Sequence, residues 1–518
     1  MTTLIDPHQL KTTLHSGAPV ALLDVREPGE SGEGRPLLAI NVPYSVLEAR
    51  VVTLVPSINC PIVTLDNGGD DDRAQRAAAR LQALGYTLVS VLENGLEAWV
   101  TAGYGVFKGV NVPSKTFGEM LEHAFDTPSI GADELERLSA ANKPPLILDG
   151  RTPEEYRRMS IPGGISCPNG ELALRAGAMA QADQMIVVNC AGRTRSIVGA
   201  QTLIDFGVPH KVVALRNGTM GWTLAGYELE HERDASFTDT LTPEQLRAAR
   251  QRAQELATLD GIEQVDAATV EQWLDSASQC TYLLDVRTAD EYAVGHQPGA
   301  VHAPGGQLVQ ATDQWVAARG AKLVLIDTEK VRAVMAARWL KCMGHAVYVL
   351  ADGAQLAARE GSNFSDTLPT LAEVAVQDLH QYRLIDLRSS ADFGAIHVAG
   401  ACWSIRSNLP TFEPSEQVVL IADDAPAAAA AALDLREAGA VVVGWSGSGP
   451  QQWRAAGLSL ITDDVIADSE RIDYLFFVHD RHMGNAIAAQ EYLDWETGLI
   501  AQLDEQERAL FQLSSAHA

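Results

Sequence analysis

Short apolar runs recur along the chain at domain-sized intervals, and each leads into the same polar signature. Leu22-Leu23 precedes Asp24-Val25-Arg26. Ile147-Leu148 precedes Asp149-Gly150-Arg151, Leu283-Leu284 precedes Asp285-Val286-Arg287, and Leu384-Ile385 precedes Asp386-Leu387-Arg388. The aspartates lie 125, 136 and 101 residues apart, too far for a solenoid unit of roughly 20–50 residues. Acidic and aromatic residues follow the signature, as in Pro153-Glu154-Glu155-Tyr156 and Asp290-Glu291-Tyr292. A tight turn comes next: Ile161-Pro162-Gly163-Gly164, His296-Gln297-Pro298-Gly299-Ala300 or His397-Val398-Ala399-Gly400-Ala401. A second apolar run, such as Met185 to Asn189 or Leu323 to Ile326, then opens into a loop and an alanine-rich helix. A last run ends at Gly-x-x-x-Trp, at Gly95–Trp99, Gly218–Trp222 and Gly449–Trp453; in the third copy Ala357 replaces the tryptophan.

Short continuous apolar runs alternating with helical stretches predict parallel sheets covered on both faces. The fold class is therefore α/β, with four tandem domains, each a small, mostly parallel sheet flanked by helices. Thr152-Pro153-Glu154-Glu155 carries a capping threonine, a proline at the first helical position and a glutamate at the third. Thr242-Pro243-Glu244-Gln245 repeats that logic and predicts a connector helix over Leu246 to Leu256. Boundaries are expected near 114, 240, 365 and 460. The segments are then 1–114, 115–240, 241–365 with the connector, 366–460, and a helical C-terminal tail over 461–518.

The 518 residues suit roughly three to five domains, and 46% apolar content lets each bury a core. A formal net charge of −28 argues against a nucleic-acid partner, which needs a basic face. It also leaves the attraction of an anionic substrate to local arginines. The six cysteines are far apart, without CxxC or zinc spacing. That pattern reads as reduced thiols in a cytoplasm, with no metal or cofactor implied. No apolar run reaches the ~18 residues of a membrane span. The opening MTTLIDPHQLKTTL lacks the pattern of a signal peptide, and Leu475-Phe476-Phe477-Val478 reads as a buried strand.

Candidate chemistry concentrates in the second copy, in Cys190-Ala191-Gly192-Arg193-Thr194-Arg195-Ser196. A strand over Ile186 to Asn189 ends at Cys190, and a helix is expected to begin near Ser196. Ligands bind at this end of α/β strands, and the helix's unpaired N–H groups favour an anion there. A thiolate at the loop's first position is thus a candidate nucleophile. Arg193 and Arg195 can grip an oxyanion; alternatively either forms a structural salt bridge, and Arg195 can stabilise the loop. Arg216, in Leu215-Arg216-Asn217-Gly218, is expected on the loop neighbouring Cys190.

Together, the Asp-x-Arg signature, the turn after Ile161, the cysteine loop closing in Arg195-Ser196 and Gly-x-x-x-Trp resemble the rhodanese family over nearly the whole chain. The resemblance implies four rhodanese-like domains and a thiosulfate sulfurtransferase activity. Sulfane sulfur would pass from thiosulfate or a related donor to Cys190 as a persulfide, then to a thiol or cyanide acceptor. The loop amides, with Ala191, Gly192, Arg193, Thr194, Arg195, Ser196 and Arg216 as the substrate-binding set, would cradle it. Phosphatases of the same fold use Cys-x5-Arg; the shorter Cys-x4-Arg here suits sulfur.

The equivalent loops, Leu65 to Asp72, Ile326 to Lys330 and Ile421 to Ala425, offer no thiol and are acidic. Three non-catalytic domains around one working domain are expected. An alternative is a sulfur-relay or scaffold protein that hands persulfide sulfur to a partner enzyme; a homo-oligomer is also open. Cys167 reads as core, and Cys60, Cys280, Cys342 and Cys402 as structural. In the tail, His479-Asp480-Arg481-His482 reads as docking or capping rather than metal binding. A long helix over Ala486 to Leu513, with Ile487, Tyr492, Trp495, Leu499 and Leu503, is expected to cover a neighbouring domain or a second subunit.

Overall fold

The computed structural model describes residues 3–238, 240–359, 368–411, 413, 416–463, 466–475 and 485–513. Each Asp-x-Arg signature ends a buried strand of its own parallel sheet. The second repeat shows the plan. Helix α1 (Val112–Phe125) leads in, running across the expected boundary at 114. The strands are β1 (Ser129–Ile130), β2 (Leu146–Asp149), β3 (Ile165–Ser166), β4 (Ile186–Asn189) and β5 (Val212–Leu215), in spatial order β1-β5-β4-β2-β3. Between them lie α2 (Pro153–Arg158), α3 (Asn169–Met179), α4 (Thr194–Phe206) and α5 (Gly218–Leu224). Every residue of β2, β4 and β5 is buried. This explains why they read as unbroken apolar runs: a parallel sheet covered on both faces needs no polar alternation.

The first and third repeats reproduce this strand order. Among the described residues the fourth keeps only Arg383–Asp386, Cys402–Trp403, Gln417–Ile421 and Val441–Ser446 in its sheet, and a single parallel bridge, Glu373 to Trp445, stands where the edge strand runs elsewhere.

The recurring Asp-x-Arg is a buried ion pair in all four repeats. Asp24–Arg26, Asp149–Arg151, Asp285–Arg287 and Asp386–Arg388 pair at 2.6, 2.7, 2.6 and 2.7 Å. Each arginine also donates to the carbonyl eight residues on: Gly34, Met159, Gly295 and Ile396. A charge removed from water is tolerable only when all its hydrogen-bonding groups find partners. The pair satisfies the Nε and Nη2 groups of each arginine while tying a strand end to the end of the next short helix.

The repeats group into two compact units. One holds the first and fourth repeats. There Arg80 of helix Arg73–Ala83 pairs with Asp434 and Glu437 on helix Ala425–Glu437, and Arg406 binds Glu48 through both terminal nitrogens. The other unit holds the second and third repeats with the C-terminal segment. There α6 (Pro243–Leu259) exceeds the expected connector at both ends, and α7 (Val331–Cys342) packs beside α3. Arg332 on α7 reaches Glu171 on α3 (3.1 Å), and the Trp339 indole donates to Thr202 Oγ1 on α4 (2.8 Å). A Cβ added to Gly306 would lie 2.6 Å from the Gly170 nitrogen, so the two repeats meet there backbone to backbone.

Three expectations need correction. The tail is not one helix: α8 (Ala486–Thr497) is followed by the short helices Leu499–Gln502 and Glu505–Arg508. Gly498 ends α8, and Asp504 caps the last helix through Glu507 N–H. The helix after the Cys190 loop begins at Thr194, two residues before Ser196. Cys402 is exposed rather than packed, whereas Cys167 is fully buried in the core, where burial pushes its thiol well up. The His479 to His482 motif and residues 476–478 lie outside the described residues.

Candidate active site around Cys190

Cys190 follows the last residue of β4 and is 2% exposed. The strand end is fixed from both sides. Asn189 Nδ2 donates to Asp149 Oδ2 (2.9 Å), and the Gly150 N–H donates to the Asn189 carbonyl (2.9 Å). The Cys190 carbonyl accepts from the Thr219 N–H (2.8 Å), and the Ala191 carbonyl from the Met220 N–H (3.1 Å). This contact explains the glycine of Gly-x-x-x-Trp. Gly218 has φ +52°, and a Cβ there would lie 2.2 Å from the Cys190 carbonyl oxygen. In the fourth repeat Gly449 has an extended φ of −113° and open space around it, so the shared motif has different duties.

The loop residues do not all turn inward. Beside Cys190, Ala191, Gly192 and Arg195 line a cavity of about 80 Å3. That is room for a donor of a few heavy atoms and far below the ~300 Å3 of a larger ligand site. Arg195 is buried and lies against Glu155 at 2.6 and 2.8 Å through both terminal nitrogens. Burial alone would raise the Glu155 carboxyl. The Arg195 charge and hydrogen bonds, with the Thr152 amide, hold it instead at about 2. Arg193 points to Glu119, at 2.7 and 2.8 Å, and to Glu122. Burial pushes the Glu119 carboxyl up, against the pull of Arg193. Ser196 Oγ donates to the Arg193 carbonyl (2.8 Å), closing the first helical turn. Arg216 is exposed; its backbone pairs with β1 and its guanidinium donates to Ser129 Oγ (3.2 Å).

Other residues at the cavity come from outside the second sheet. Asn111 and Lys115 belong to the entry of α1 and to its first turns, Gln310 to the third repeat and Tyr492 to α8. Glu496, also on α8, is fully buried against the loop. Its Oε1 accepts from Thr194 Oγ1 (2.5 Å) and Thr194 N–H (3.4 Å) and lies 3.3 Å from Lys115 Nζ. Sequence reasoning missed these residues. Tyr492 read as an apolar cover, but nothing in a helical tail marks which acidic residue meets a loop 302 positions upstream.

The cysteine-free loops show what the same geometry does without a thiol. In the third repeat Asp327 takes the cysteine's place. Its carboxylate accepts from the N–H groups of Glu329 (3.1 Å), Arg332 (2.9 Å) and Ala333 (3.3 Å). In the first, Asp66 accepts from Gly68 N–H (3.0 Å) and Ala74 N–H (2.9 Å). The arginine closing each loop makes the same fork: Arg332 to Glu291 at 2.5 and 3.0 Å, and Arg73 to Glu30 at 2.5 and 2.8 Å.

A model of the rhodanese-like domain matches residues 6–102, 131–225 and 266–358, more than half of the chain. The chain belongs to the rhodanese family. The fourth repeat, whose sheet shows no edge strand among the described residues, lies outside the matched residues. The crystal structure of a thiosulfate sulfurtransferase from Pseudomonas aeruginosa is similar over 98% of this chain and 99% of that one, with 39% identity and a TM-score of 0.88. A putative sulfur carrier protein, YrkF, from Bacillus subtilis is 28% identical over 136 residues, covering 25% of this chain and 72% of its own. These likenesses make the rhodanese repeats a sulfurtransferase scaffold. No helix among the described residues is long and apolar enough to cross a membrane.

Proposed function

We propose that this protein transfers sulfane sulfur through a persulfide on Cys190, with the second repeat, 115–240, as the catalytic domain. The supporting observation is that Cys190 opens the one described loop of its kind that carries a thiol where the first and third repeats carry an amide-bound carboxylate. The Cys190 thiolate attacks the outer sulfur of thiosulfate. A new S–S bond forms, the donor's S–S bond breaks, and its electron pair leaves with sulfite. A thiol or cyanide acceptor then takes the outer sulfur and returns the thiolate. Arg195, fixed by Glu155, lines the cavity and contributes positive charge to the bound donor, and Ala191 and Gly192 shape the wall.

The other repeats, 1–114, 241–365 and 366–460, serve as non-catalytic framework, and 461–518 as a cap. A cavity of about 80 Å3 around a 2% exposed thiol favours a small donor over direct exchange with a partner protein. Treatment with thiosulfate should add the mass of one sulfur atom at Cys190, and Cys190→Ser should lose both the adduct and turnover. Full activity in that variant would refute the reading.

A further inference from the structure

Three cations stand at the Cys190 loop, two on the loop and Lys115 on α1, and each is already matched. Arg195 pairs with Glu155, Arg193 with Glu119 and Glu122, and Lys115 with Glu496. Four carboxylates thus pair with three cations, so the side chains together give a small dianion no net positive charge. Glu496 stands apart from the other three. Its side chain is fully buried, and its Oε2 has no hydrogen-bond partner among the described residues. That oxygen faces the reactive loop: a Cβ added to Gly192 would lie 3.4 Å from it. The amino end of α4 therefore holds a carboxylate as the equivalent loops do. Asp66 and Asp327 supply it from within their own repeats; here it comes from the tail.

We propose that Glu496 is a specificity-determining residue of the Cys190 site. Resting on the sulfur-transfer reading, it sets the charge class of the donor. A buried carboxylate against Thr194 and Gly192 of the Cys190 loop disfavours doubly charged donors such as thiosulfate, because like charges at this depth are poorly screened. It favours neutral donors over anionic ones. Lys115 acts in the opposite sense, and its pairing with Glu496 sets the balance.

Site-resolved alkylation separates charge from chemistry, since the thiolate displaces iodide from iodoacetamide and iodoacetate alike. In the full-length protein, Glu496→Gln keeps the side-chain shape and an acceptor for Thr194. It should speed iodoacetate capture of Cys190 at least tenfold and change iodoacetamide capture less than threefold. Lys115→Met should shift the iodoacetate-to-iodoacetamide ratio the other way. Exposed Cys402 is the internal control and should be unaffected. Equal changes with both reagents, or shifts of the same sign in both variants, would mean that Glu496 only holds the loop, and would overturn the proposal. With thiosulfate, Glu496→Gln should form the Cys190 persulfide faster by a similar factor. Absence of that adduct from wild type and variant alike would defeat the sulfur-transfer reading while the alkylation ratios still report on Glu496.

Discussion

The second and third repeats share a strand order, a buried Asp-x-Arg pair and an arginine fork closing the loop, but one presents a thiol where the other presents a carboxylate. At Asp327 three backbone N–H groups and Arg332 converge on the aspartate, and the loop is satisfied from within. At Cys190 the equivalent space opens into a small cavity. The comparison separates two roles that coincide at Arg195. Its fork to Glu155 recurs as Arg332–Glu291 and Arg73–Glu30, so the pair belongs to the fold. Its place at the cavity wall is what the thiol adds to.

The largest effect should come from Cys190→Ser, with the persulfide adduct lost, sulfur transfer falling by about a thousandfold or more, and little change in stability. Asp327→Asn should do the reverse. It removes a buried charge facing Arg332 and should lower unfolding free energy by about 3 kcal/mol, read by urea titration, with sulfur transfer per folded molecule preserved. An unchanged midpoint would contradict the view that Asp327 holds its loop. Next are the paired variants Arg195→Lys and Arg332→Lys. Lysine keeps the charge but loses the fork, so each should cost about 1–2 kcal/mol of stability. Only Arg195→Lys should also slow sulfur transfer, by about tenfold; equal slowing by both would erase the distinction between the loops.

The smallest effect concerns acid. The carboxyls of Glu155 and Glu291 are both held at about 2 against an ordinary 4.5. A carboxyl lowered by folding stabilises fully above 4.5 and loses that contribution as pH falls through about 2. The stability difference between wild type and Glu155→Gln should therefore shrink on acidification below about pH 4.5, and likewise for Glu291→Gln. Both carboxylates are partly exposed, so the change is modest. A difference that grows in acid would reverse the assignment.

Much of this was legible in the chain because it is local. Apolar runs ending in Asp-x-Arg are buried strands whose last residues bind the next helix, so pattern and contact coincide. The capping box at Thr152 and Glu155 was equally readable, since its partners lie three residues apart. What escaped was contact at long range. That Glu155 also serves Arg195, that Arg193 turns to Glu119, and that Glu496 reaches Thr194 all depend on how helices pack. The Gly-x-x-x-Trp motifs of the second and fourth repeats looked equivalent, and only packing shows that Gly218 lies against the Cys190 loop while Gly449 has open space around it. The tail read as one amphipathic helix because its apolar spacing runs through Gly498, where the backbone breaks.

The glycine contact between the second and third repeats bears on how this protein can be divided. Gly170 and Gly306 meet with no side chain between them, beside the buried Thr202–Trp339 hydrogen bond and the Glu171–Arg332 pair. A fragment cut at residue 240 would expose that seam and leave Glu171 with Arg175 alone, without Arg332. The tail would be gone too, and with it the carboxylate beside Thr194. Recombination that shuffles single repeats would thus break the site, whereas inheritance of the second and third repeats with their tail would keep it whole. Chemistry housed in one repeat is transmissible only as a larger block.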